Sequence, residues 1–179
     1  MNILVCIKQV PDTTEIKIDP VKHTLIREGV PSIVNPFDAC ALEMAVRLKE
    51  KEGGKVVVIS MGPAQAKNAL KECLAVGADQ AFLVTDRAFG GSDTLATSYI
   101  LSRAIAAVET KTGEKFDLIF CGKQAIDGDT AQVGPEIAEH MDLPHVTLAT
   151  AVEMADGKLH VTRDTDEGHD LVEVSLPAL

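Results

Sequence analysis

A doubly wound α/β fold, with a mostly parallel sheet and an antiparallel C-terminal hairpin, is predicted for this chain by three observations. Short runs that are almost wholly apolar, around residues 3–7, 56–59 and 118–121, alternate with longer stretches whose apolar residues recur at helical spacing. Strands apolar on both sides are what a sheet covered by helices on both faces requires. Most of these strands end in glycine or proline punctuation just before a helix, the layout of ligand-binding loops at the carboxyl edge of a parallel sheet. After residue 145 the pattern changes to alternating strands around ADG and DEG turns, so 146–179 reads as an antiparallel extension of one domain, 1–179. A chain of 179 residues with 46% apolar content can fill one such core.

Each element has its own signals. Residues 2–10 read as the first strand, closed by Pro11 and Asp12. Residues 16–18 and 24–26 alternate around DPVKH as a small hairpin. Asn35 caps the first long helix, Pro36 takes its first position and Asp38 suits its positive first turn. Phe37, Ala41, Met44, Ala45 and Leu48 form its inward stripe, and Gly53 with Gly54 stops it. KVVVIS is the second strand, and Gly62-Pro63 turns into a helix over 64–76 that buries Ala66, Ala69, Leu70, Cys73 and Leu74 before Gly77. After a strand at 81–84 comes TDRAFGGSDTLATS, in which Ser92 or Asp93 caps a helix turning Leu95, Tyr99, Ile105 and Ala106 toward the core. Gly122 ends the strand at 118–121. A helix then begins between residues 131 and 134, with Pro135 and Glu136 in its first turn.

Five loops, 9–14, 35–38, 61–63, 86–94 and 122–133, converge on the carboxyl edge of this sheet. In the last, the backbone N–H groups of Thr130, Ala131, Gln132 and Val133 precede a helix and suit an anionic phosphate. Asp127 and Asp129 oppose that reading unless they point away, bonding ribose hydroxyls or the loop's own amides. The alternative is a plain strand-to-helix turn in which Gly128 supplies a left-handed conformation and nothing binds. Residue chemistry leaves both open.

Other classes are disfavoured. A net charge of -10 and a pI near 4.9 offer no basic stripe for nucleic acid, and aromatic residues make up only 3% of the chain. No apolar run is long enough for a membrane span and no signal peptide is recognised, so a cytoplasmic protein is expected. Cys6, Cys40, Cys73 and Cys121 lie in apolar patterns without a CxxC pair and read as buried, redox-inert residues. The five histidines read as solvated, so no metal site is expected, and no catalytic motif is present.

Four segments, VCIKQVPDT, NPFDACALEMAVRLKE, MGPAQ and above all GKQAIDGDTAQVGP, together resemble the β subunit of electron-transfer flavoprotein, and the resemblance runs from Met1 to Leu179. It implies a Rossmann-like, adenine-nucleotide-binding domain. Carried over by position, the nucleotide contacts fall at Cys6, at Asn35, Pro36, Phe37 and Asp38, at Met61, and along Gly122, Lys123, Gln124, Ala125, Ile126, Asp127, Gly128, Asp129, Thr130, Ala131, Gln132 and Val133. DRAFGGSDTLATS and DGDTAQVGP resemble the electron-bifurcating class, which implies FAD in this subunit. Gly91, Ser92, Asp93, Thr94 and Thr97 would then meet the flavin ring. The implied route runs from NADH through flavin to an acyl-CoA dehydrogenase and a low-potential carrier, ferredoxin or flavodoxin, with an α subunit as permanent partner. In simple respiratory members the same site holds a structural AMP. Against the family pattern, the chain is expected to lack the C-terminal partner-recognition loop and α-wrapping segment. A similarity in fold to universal stress proteins implies a second alternative, an adenine-nucleotide sensor that transfers no electrons.

Overall fold

Ile3, Leu4 and Val5 are wholly buried because the first strand runs through the middle of the main sheet. A computed structural model describes residues 1–12 and 31–179. In chain order the elements are β1 (Asn2–Cys6), β2 (Gln9–Pro11), β3 (Ser32–Val34), α1 (Pro36–Glu52), β4 (Lys55–Met61), α2 (Lys67–Ala75), β5 (Gln80–Val84), α3 (Thr94–Thr112), β6 (Leu118–Cys121), α4 (Val133–Met141), β7 (Ala149–Ala155), β8 (Lys158–Thr165) and β9 (Gly168–Val174). The main sheet has the order β5-β4-β1-β6 and every pairing in it is parallel.

Alternation along β1 sorts the helices onto two faces. Ile3 and Val5 pack with Ala41, Leu42, Ala45 and Leu48 of α1 and with Leu70 and Cys73 of α2. Leu4 and Cys6 point the other way, into Leu101, Ile105 and Val108 of α3 and Ile137 of α4. The sheet is therefore doubly wound. Strand order reverses between β1 and β6, whose last residues Cys6 and Cys121 are register partners, so the switch point, where doubly wound folds have their ligand crevice, lies beyond them.

The C-terminal region forms a three-stranded antiparallel sheet, one strand more than a hairpin, in the order β7-β8-β9. It buries Leu159 and Val161 against the α1 side of the core. The chain then returns to the main sheet, where Ala178 lies beside Leu118 as a parallel bridge and accepts from Ile119 N at 2.9 Å. Among the described residues no helix is long and apolar enough to cross a membrane.

Several local expectations are corrected. The strand expected over 2–10 breaks after Cys6, and β2 pairs antiparallel with β3 instead of continuing the main sheet. The hairpin expected at 16–18 and 24–26, like Thr13 and Thr14, lies outside the described residues. The helix expected from 64 opens as a 3-10 turn, Ala64–Ala66, before α2. Leu74, Leu95 and Tyr99, expected in the core, are 41%, 60% and 55% exposed. On α3 the inner face is Ser98, Leu101, Ser102, Ile105 and Val108. Ser98 and Ser102 can be buried there because their hydroxyls donate back to Leu95 O and Tyr99 O. On α1, Phe37 and Met44 are half-buried and Leu42 takes the inner place.

Candidate functional site

Two residues of the first turn of α1 capture the chain as it leaves β1. Asn35 N donates to Lys8 O at 2.9 Å, and Lys8 N donates to the Asp38 carboxylate at 2.7 Å. Asn35 is 1% exposed, and its carbonyl receives Asp38 N and Ala39 N, which starts the helix. Its side chain does not cap α1, contrary to expectation. Instead Nδ2 donates to Gln124 O at 2.8 Å and Oδ1 accepts from Ile126 N at 3.2 Å. One buried amide thus joins the exit of β1, the start of α1 and the loop after β6. A cap satisfies only a helix's own N–H groups, whereas here the buried amide satisfies a carbonyl and an N–H of a loop far away in sequence.

Gly122 is required where β6 ends. A Cβ there would stand 2.2 Å from Asp38 Oδ1 and 2.7 Å from both Asp38 N and Phe37 C, so only hydrogen fits against α1. Burial pushes the Asp38 carboxyl up to about 6, against the lowering effects of hydrogen bonds from Lys8 N, the Asn35 side chain and Gly122 N and of the Lys8 charge. On the opposite face the Cys6 thiol is held well above its ordinary value by its hydrogen bond with Cys121 and by burial. Cys73 is raised to about 11, chiefly by burial. The cysteines do not all behave as expected, for Cys40 is exposed and Cys121 half-buried. Residue 40 lies on the outer side of the first turns of α1, where Ala39 is exposed too.

The loop from Gly122 to Gln132 resolves the question of its carboxylates. Asp127 accepts from Lys8 Nζ at 2.5 Å, and Asp129 accepts from Gln124 Nε2 at 2.7 Å. Both are tied off, by Lys8 and Gln124 rather than by neighbouring amides. A tight turn forms where Gly128 N and Asp129 N both donate to Ala125 O. Left-handed backbone occurs at Asp129 (φ 51°) and Ala131 (φ 54°), not at Gly128, which also has no atom within 4 Å of an added Cβ. Two non-glycine residues in that region cost on the order of 1 kcal/mol or more each, and such strain concentrates at ligand sites. No backbone N–H from Thr130 to Val133 donates to another described residue. These four donors stand at the start of α4, beside the crevice.

The loop over 86–94 is built from local caps. Asp86 accepts from Ala88 N, Ser92 Oγ donates to Phe89 O, and Asp93 is the cap of α3, accepting from Ala96 N at 2.8 Å. Gly91 has φ 81°. By strand order β5 is two places from β1, yet α3 packs on α4, and Thr94 Oγ1 donates to Glu136 Oε1 at 3.1 Å. The starts of α3 and α4 therefore meet.

Of the residues singled out from sequence, Cys6, Asn35, Asp38 and the loop 122–133 come together around the crevice. Met61 closes β4 on the next strand, Pro36 and Phe37 sit in the first turn of α1, and Gly91 to Thr97 border the start of α3. Lys8 and Glu136 were missed as site residues. Lys8 is the first charged residue after the central strand, a signal that was available; the buried Glu136 Oε2, without a partner among the described residues, had none. A cavity of about 520 Å³ lies between β6, α1 and the C-terminal sheet; its mainly apolar lining includes Met44, Phe120, Val152 and Val161, and it borders the candidate site at Phe37, Gly122, Lys123 and Ala131.

The electron transfer flavoprotein domain matches residues 22–179 of this chain. Similar proteins include electron transfer flavoprotein subunit beta of Thermoanaerobacterium thermosaccharolyticum, 60% identical over 179 residues and the whole of this chain. That of Clostridium acetobutylicum is 59% identical over the same span. The chain belongs to the electron transfer flavoprotein family.

Subunit CarD of the caffeyl-CoA reductase-Etf complex of Acetobacterium woodii, another member, is 54% identical over 180 residues and again covers the whole chain. The chain spans 66% of the Thermoanaerobacterium protein's length and 67% of the other two, about two thirds of each. All three alignments run along the complete chain, so they take in the exit of β1 as well as the loop after β6. The family is one of flavoproteins.

Proposed function

We propose that this chain is the nucleotide-binding part of an electron-transferring β subunit, and that the crevice beyond β1 and β6 takes the adenosine phosphate end of FAD. The four N–H groups from Thr130 to Val133 hold the phosphates, while Asn35 and Gly122 fix the loop that presents them. The single observation that carries FAD over AMP is the bond between Thr94 and Glu136, which brings the 86–94 loop within reach of the 122–133 loop. Gly91, Ser92, Asp93, Thr94 and Thr97 are then the groups that border the flavin ring. When bound, the flavin supplies reversible uptake and release of electrons; the protein binds it, orients it and sets its surroundings.

In this reading electrons pass from NADH through flavin toward an acyl-CoA dehydrogenase and a low-potential carrier, ferredoxin or flavodoxin, in complex with an α subunit. The rival reading, a structural AMP, draws on the edge position of β5, which keeps that loop two strands from the crevice.

Flavin counting decides between them. The full-length β subunit assembled with α is expected to carry two flavins per heterodimer, falling to one in Gly91→Val and Thr94→Val. A wild-type count of one, with AMP recovered in equal amount, overturns FAD. A count of two that survives both substitutions overturns the role given to the 86–94 loop.

A further inference from the structure

Asp127 lies in a loop with four N–H donors that have no acceptor among the described residues, and its own partner is a lysine from the other side of the crevice. Lys8 is the second residue past β1, and its backbone is clamped on both sides, N–H to Asp38 and carbonyl to Asn35. Its side chain remains 49% exposed and spans to Asp127, itself 20% exposed, at 2.5 Å. The pair therefore bridges the exits of β1 and β6, the two strands at which the sheet order reverses. As a stabilising device it is poor, because a half-exposed pair is largely offset by solvation and by the ordering of a long side chain. As a cation parked beside a phosphate site it is well placed. A phosphate monoester or diphosphate carries at least as much charge as a carboxylate and offers more acceptor oxygens, so it competes for the same ammonium.

We infer that Lys8 is a phosphate-binding residue of the crevice and that Asp127 is its resting counter-ion, displaced when a nucleotide enters. This rests on the nucleotide reading above and adds a residue and an exchange to it. The exchange moves no covalent bond: the ammonium leaves a carboxylate for a phosphate, and Asp127 is freed to accept a hydrogen bond from a ligand hydroxyl or from water. The arrangement accounts for an otherwise contradictory feature, a carboxylate inside an anion-binding loop. Lys8 is held by Asp127, and the second carboxylate, Asp129, is occupied by Gln124.

The test uses the full-length β subunit in complex with α, stripped of nucleotide, with AMP and FAD as titrants in a calorimeter. Lys8→Met is expected to weaken binding at least tenfold, in line with loss of a charge-assisted contact. Asp127→Asn is expected to tighten it, by about two- to fivefold, because the competitor for Lys8 is gone. The double variant is expected to bind like Lys8→Met alone. Opposite signs are the signature of exchange. If both single substitutions weaken binding, the pair is only a structural clasp and the inference fails. If Asp127→Asn tightens binding equally in the Lys8→Met background, the carboxylate acts by general repulsion, and the shared-cation account fails. A wild-type complex that takes up neither AMP nor FAD overturns the nucleotide reading itself, a different outcome from either of these.

Discussion

Gly122→Ala and Gly128→Ala place the same methyl group on two glycines of one loop, and the structure gives them opposite consequences. At Gly122 the new carbon would lie 2.2 Å from Asp38 Oδ1 and 2.7 Å from the backbone of Phe37 and Asp38. Backbone cannot rotate aside, so β6 and the first turn of α1 must separate. Overpacking of this kind costs about 1–3 kcal/mol. The Lys8 N–H bond to the Asp38 carboxylate is strained in the same movement, and a hydrogen bond to a charged group is worth about 1.5–3 kcal/mol. A loss of about 3 kcal/mol is expected, a large part of the 5–15 kcal/mol that a typical domain has. At Gly128 no atom lies within 4 Å and the backbone is not left-handed, so Ala is expected to change stability by less than about 0.5 kcal/mol. Urea unfolding of the full-length β subunit, followed by circular dichroism, gives both midpoints. Equal midpoints for the two variants would refute the close approach of β6 to α1 as the reason for glycine at 122.

Asn35→Ala removes the donor to Gln124 O and the acceptor for Ile126 N, and is expected to cost about 2–3 kcal/mol and to lower nucleotide affinity; wild-type unfolding and binding would contradict the clamp. Asp38 titrates at about 6 in the folded chain against 3.8 ordinarily, so the fold binds this proton more tightly than the unfolded chain does. Its contribution is full below pH 3.8 and is lost as pH rises through about 6. That gap corresponds to about 3 kcal/mol. Plotted against pH from 3.5 to 7, the stability of Asp38→Asn relative to wild type should rise by about this amount, and a flat difference would contradict the raised value. In thiol labelling of the folded protein, exposed Cys40 should react first while buried Cys6 and Cys73 react only on unfolding; fast labelling that survives Cys40→Ser would contradict these burial states.

Much of the fold was legible because its strands are short, apolar and separated by strong helix signals. The N-terminal proline of α1, the paired glycines after it and the turns at Asp156-Gly157 and Asp166-Glu167 all fall where local chemistry puts them. Misreadings came where a residue's partner is distant in sequence, or where a local bond overrides size or propensity. Asn35 looks like a cap because N-caps are local, yet its side chain bonds residues 89 and 91 positions away. Leu95 and Tyr99 look like core residues by size, but buried Ser98 and Ser102 satisfy themselves on the helix backbone and leave the larger side chains outside. The alternative of a plain turn puts the left-handed residue at Gly128 by propensity, whereas the loop bends at Asp129 and Ala131, held by the Gln124–Asp129 bond and the start of α4. The site's loops could be read from spacing; the Lys8–Asp127 pair that links two of them could not, since nothing local relates residues 119 positions apart.

Hydrogen exchange with mass spectrometry on the full-length αβ complex, with and without bound adenine nucleotide, tests the crevice most directly. Peptides covering 122–135 should gain the most protection when nucleotide is bound, because the N–H groups of Thr130 to Val133 acquire acceptors, and peptides over 35–38 should follow through Asn35. The β7–β9 sheet should be unchanged. Protection confined to that sheet, or to the α1 side cavity, with 122–135 exchanging as before, would contradict a nucleotide site at the junction of β1 and β6.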